Sequence, residues 1–169
     1  MPHVAFESLP PNARVWVFGA SDPLDDEARR QLFLVVDEYL SQWRAHGVPL
    51  VSARDWRDNR FLAIGVDEAA TGASGCSIDG LFRTLQSMQE LLGASLMGGG
   101  VMFYRDAGGI VQAVDRSRFI DLVRAHEVTA DTHVFDLTID TVGRWQESFE
   151  KRAADSWHAR VLKSAALTN

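Results

Sequence analysis

With 169 residues, 46% of them apolar, the chain can enclose a full core without covalent staples, and its one cysteine, Cys76, excludes an intramolecular disulfide. A formal charge of −6 opposes bulk-charge binding to nucleic acid or to anionic membranes, and five scattered histidines (His3, His46, His126, His133, His158) offer no close pair for zinc. The opening segment MPHVAFESLPPNARV lacks the basic and apolar parts of a signal peptide, and no apolar run approaches the roughly 20 residues that cross a bilayer; a single cytoplasmic domain over 1–169, with no membrane partner and no cofactor, is expected.

Arg14 to Ala20 is a β-branched and aromatic run that reads as a buried strand. A long helix follows, capped by Ser21 or Asp22 with Pro23 at its first position; Leu24, Ala28, Leu32, Val35, Tyr39 and Trp43 form its apolar stripe, and Gly47 ends it. Val48 to Ala53 and Arg60 to Asp67 read as a hairpin joined by the polar turn Arg54 to Asn59. Beyond the loop from Glu68 to Cys76, Ser77 caps a second helix with Ile78, Leu81, Leu85, Met88 and Leu92 on one face. Val101 to Arg105 and Ile110 to Val114 flank a turn at Asp106 to Gly109, and Asp115 caps a short helix through Phe119, Ile120 and Val123. A strand near Thr132 to Ile139, a helix capped by Asp140 with Val142, Trp145 and Phe149, and a last helix aligning Trp157, Val161 and Ala165 complete the chain.

The first six elements run β-α-β-β-α-β, the order of a ferredoxin-like core. The expected fold class is therefore α+β, a largely antiparallel sheet with its helices on one face. A hairpin, a helix, a strand and C-terminal helices are appended to it.

The segment that invites chemistry is Gly72 to Asp79. Gly72 and Gly75 permit positive φ and close backbone approach; the amides around Cys76 to Asp79 lie at the positive end of the second helix; Ser74 and Ser77 add hydroxyl donors. This suits a small anion, with Arg60 as a nearby cation of the candidate set. The plainer reading is a turn and a helix cap, with Asp79 favourably placed in a first turn. Cys76 just before a helix start has the setting of an activated thiol, with His158 as its candidate base, although lone cysteines are usually small buried hydrophobes. Asp67, Glu68 and Asp79 bracket the loop as carboxylates able to hold magnesium, or simply as strand-end and helix-start residues. Arg54, Arg57 and Arg60, interleaved with Trp56 and Phe61, form either an anion clamp or a turn neutralised by Asp55 and Asp58.

The pieces His46-Gly47, Asn59-Arg60-Phe61, Val66-Asp67-Glu68, Ser74-Gly75-Cys76-Ser77-Ile78-Asp79 and Ser156-Trp157-His158 are spread over most of the chain. Through them it resembles a family of small bacterial proteins of uncharacterised activity, sometimes labelled ABC-transporter ATPases. The resemblance implies a single domain and brings no catalytic residue with it. An ABC ATPase needs a Walker A lysine and phosphate loop, which this sequence lacks.

Two functions fit these residues. The preferred one is a binding or regulatory module with a small anionic ligand at Gly72, Ser74, Gly75, Cys76, Ser77, Asp79 and Arg60, because no nucleophile here has both a clear base and an orienting group. The other is a small enzyme acting on an acyl-type substrate, with Cys76 as nucleophile, His158 as base and amides near Ser77 as an oxyanion hole.

Overall fold

The computed structural model describes residues 4–45, 47–71, 78–96 and 100–167. In chain order its elements are β1 (Arg14–Gly19), α1 (Asp26–Gln42), β2 (Arg44–Ala45), β3 (Val48–Pro49), β4 (Val51–Arg57), β5 (Phe61–Asp67), α2 (Glu68–Thr71), α3 (Asp79–Ser87) and α4 (Gln89–Leu92). They continue with β6 (Val101–Arg105), β7 (Val111–Asp115), α5 (Arg116–Arg124), β8 (His133–Phe135), α6 (Val142–Ser148), β9 (Glu150–Arg152) and α7 (His158–Leu167). The chain gathers into two compact units, residues 1–97 with 138–146 and residues 98–137 with 147–169. Each is built on antiparallel sheet, so the class is α+β.

In the first unit the strand order is β1-β5-β4. Register aligns Trp16 with Ile64, Phe18 with Leu62 and Trp56 with Leu62, which puts even-numbered residues of all three strands on one face. That face packs on Leu32, Val36 and Leu40 of α1 and on Leu81 and Leu85 of α3. Fully burying each of these leucines contributes roughly 1.5–3 kcal/mol. The other face is also covered. A Cβ on Gly65 would lie 2.6 Å from the Leu9 side chain and 3.5 Å from Val142, so only glycine admits this approach. Nearby, the Trp145 indole donates to Asp55 at 2.8 Å and Arg57 stacks over its ring at 4.2 Å.

Several elements begin later or run further than their local patterns imply. Helix α1 starts at Asp26 with Asp25 as its cap, accepting from the Ala28 amide at 2.8 Å. Residues 20–24 are held instead as loop, because the amides of Ala20 and Leu24 donate to the carbonyls of Arg60 and Asn59. The buried stripe is Ala28, Leu32, Val36 and Leu40, one residue on from Val35 and Tyr39. The hairpin turn narrows to Asp58-Asn59-Arg60, with positive φ at its first two residues (55° and 54°). Strand β4 therefore runs through Arg54 to Arg57. Arg54 forks onto Asp37 of α1 at 2.6 and 3.0 Å and lies over Phe33, so it joins β4 to α1.

The second sheet has the order β7-β6-β8-β9. It takes Val101–Arg105, the strand that a ferredoxin-like core would place beside Arg14–Ala20. A short turn offers β6 a partner at low closure entropy, and Asp106 locks it by accepting from the Gly108 and Ile110 amides at 2.9 and 3.0 Å. Strand β5 is thus central in its sheet. β1 is an edge strand, with its outer side bridged where Arg14 meets Thr141. Asp115 caps α5 as its position implies, accepting from Arg118 at 2.7 Å. One face of the second sheet, through Met102, Tyr104 and Val134, shares a core with Phe119 and Leu122 of α5 and Val161 of α7.

Candidate functional site

Of the residues that the sequence singles out, Gly72, Ser74, Gly75, Cys76 and Ser77 lie outside the described residues. Asp79, Arg60 and His158 are described. Asp79 opens α3 in an exposed position, as a first-turn carboxylate does. The N-cap position belongs to Ile78, whose side chain has no acceptor for the first-turn amides.

Part of that cap comes from another helix. The Leu81 amide donates to the hydroxyl of Tyr39 on α1. Burial holds the Tyr39 phenol above its ordinary value of 10.0, against the pull of the Leu81 amide and Arg83, and Asp79 adds to the rise. Gly80 makes room for this contact, since a Cβ there would fall 2.6 Å from the Tyr39 oxygen. The start of α3 is therefore shaped by a tyrosine whose place on a helical stripe reads only as packing.

Arg60 is 6% exposed and fixes a loop. Its Nη1 donates to the carbonyls of Ala20 at 3.2 Å and Ser21 at 3.0 Å, and the Ser21 hydroxyl in turn accepts from the Ser95 amide at 3.0 Å. Burial lowers the basicity of Arg60, and Asp22 partly restores it.

His158 is completely buried at the first position of α7. Its Nδ1 lies 2.7 Å from the Ser156 hydroxyl and its ring stacks on Trp157 at 3.8 Å. Trp157, expected on the packed stripe, is 36% exposed, and His158 takes the interior place beside Val161 and Ala165. An imidazole so enclosed serves a substrate only if that substrate reaches the core of this unit.

A second polar constellation escapes the sequence altogether. Arg105 of β6 donates to Glu150 of β9 through Nε at 2.8 Å and Nη2 at 2.7 Å, and Glu150 also meets His133 Nδ1 at 2.9 Å. The Arg105 bond holds the Glu150 carboxyl below its ordinary 4.5; burial opposes this and His133 adds to it. An ionised carboxylate only accepts, so Nδ1 is the donor. His133 and Arg105 line an open depression of about 450 Å³ with Asp106, Glu127, Asp131 and Thr132. No spacing announces this group, because Arg105 and Glu150 are 45 residues apart and meet only through β8.

Among the described residues no group of three or more His, Cys, Asp or Glu side chains could hold a metal ion, and no helix is long and apolar enough to cross a membrane. No family model, curated protein or solved structure matches this chain.

Proposed function

We propose that the protein is a binding or regulatory module that holds a small anionic ligand at Gly72 to Asp79, where α3 begins. One observation carries the reading: α3 starts behind Ile78, a residue with no side-chain acceptor, so the positive end of the helix lacks an ordinary N-cap. Tyr39 takes the Leu81 amide, and the glycines and serines of Gly72 to Ser77 are residue types that allow backbone and hydroxyl donors to approach an anion. The net charge of −6 favours a small ligand over a polyanion such as nucleic acid.

Titration of the ¹⁵N-labelled protein with inorganic phosphate, against chloride at matched ionic strength, tests this. Saturable amide shifts confined to Gly72, Gly75, Ser77 and Asp79 are expected, together with slower alkylation of Cys76 as phosphate occupies the same field. Shifts no larger than those with chloride, and an unchanged alkylation rate, would remove the anion site.

A further inference from the structure

The core of the second unit contains a titratable group that is only half satisfied. His158 has no exposed surface, and among the described residues its Nε2 has no hydrogen-bond partner. Such an atom in a native core calls for a reason, since most buried polar atoms are paired. Phe119 of α5 lies 5.9 Å from the ring, and Trp157 stacks on it at 3.8 Å. The ring also opens α7, where the helix dipole disfavours a cation.

We propose that His158 is an acid-sensitive latch, in which a proton entering this enclosed imidazole at the start of α7 releases α7 from the core of its unit. Three features act together. Burial penalises the charged ring, the helix terminus repels it, and among the described residues no acceptor meets the Nε2–H that the charged ring must carry. The anchors that would come away with the ring are Val161 and Ala165, buried against the cluster that holds Phe119 and Leu122.

The charged groups acting on His158 are Asp136, after β8, and Lys151, on β9, paired with one another at 3.0 Å. From α5 the facing group is Phe119, and from the approach to α7 they are Ser156 and Trp157. Tyr104, which touches Phe119, is held above 10.0 chiefly by burial and stays neutral throughout. Burial lowers His158 from 6.5 to about 4, a fall that Asp136 opposes and Lys151 assists. The released ring binds a proton at the ordinary 6.5, so release gains as pH falls: tenfold for each unit between 6.5 and about 4, about 300-fold in all.

Amide exchange across pH 7 to 4, corrected for the intrinsic rate, together with the His158 ¹³Cε1 titration, tests the latch. Protection over residues 158–167 is expected to fall toward pH 4 while that of β6 and β8 persists, and His158→Phe is expected to hold α7 protected throughout. Protection that survives protonation of His158 overturns the latch. So does a His158→Phe protein that loses protection in the same range, which would point to carboxylates instead. Should that variant not fold, the wild-type protein decides by itself: a His158 titration near 6.5 with α7 still protected is equally fatal to the idea.

Discussion

Arg60 and His158 are both buried nitrogen bases, and the two units treat them in opposite ways. Arg60 keeps its charge because two carbonyls, Ala20 and Ser21, are turned toward it. His158 has one partner at Nδ1 and, among the described residues, none at Nε2, so its surroundings favour the neutral ring. Burial lowers the basicity of both. The outcome differs because a guanidinium starts so far above neutrality that the loss leaves it charged, whereas an imidazole starts at 6.5. Of these two bases, only His158 brings a dependence on pH between 4 and 7.

The largest effect that bears on this contrast is the slope of stability with pH. His158 has a lowered folded value, so its contribution is complete above 6.5 and is lost as pH falls toward 4. The loss amounts to about 3 kcal/mol. Denaturant unfolding at pH 7, 6, 5 and 4 should show it in the wild-type protein and not in His158→Phe; equal slopes in the two would erase the distinction between the bases.

Next in size is Arg60→Met. It strands the carbonyls of Ala20 and Ser21 and should cost about 2 kcal/mol. Since Arg60 stays protonated from pH 4 to 8, the cost should be the same at every pH in that range. A cost that changes by more than about 1 kcal/mol across it would mean that some other ionising group depends on this loop.

Glu150→Gln is expected to cost about 1 kcal/mol at pH 7, the scale of a partly exposed charged hydrogen bond. Glu150 has a lowered value, so its contribution is present above 4.5 and fades only as pH falls below it, beneath most of the His158 range. Urea midpoints of the single and double variants with His158→Phe should separate the two windows. Coincident windows would show that the Arg105–Glu150–His133 group and the α7 latch titrate as one.

The smallest effect concerns the start of α3. Alanine in a helix is favoured over glycine by up to about 1 kcal/mol, but at Gly80 its Cβ would strike the Tyr39 hydroxyl. Gly80→Ala should therefore change stability by only a few tenths of a kcal/mol in the wild-type protein, and should stabilise it in a Tyr39→Phe background. Equal effects in both backgrounds would show that Tyr39 does not shape the site.

Much of the local structure is written in the sequence. Of the stripe Ile78, Leu81, Leu85, Met88 and Leu92, all but the half-buried Ile78 are buried, Asp115 caps α5, and Asp106 closes its hairpin. These outcomes depend on residues within a few positions of one another, where helix period and turn chemistry decide. The α+β class is legible for the same reason.

Tertiary structure alone decided the rest. Strand β6 pairs with β7 and β8, a choice of partners that no periodicity records. Two compact units carry no linker signal, since residues 138–146 rejoin the first unit from within the sequence of the second. Arg60, between a turn and a strand, looks available to a ligand until the carbonyls 39 and 40 residues away are seen to hold it. On α7 the apolar pattern admits either Trp157 or His158 to the core, and the pocket between Phe119 and Ser156 accepts the smaller ring. The glycine and serine pattern at Gly72 to Ser77 is a statement about backbone freedom, and freedom names no ligand. The chemistry of a site depends on what distant residues bring to it, as Tyr39 does at α3 and Glu150 does at His133.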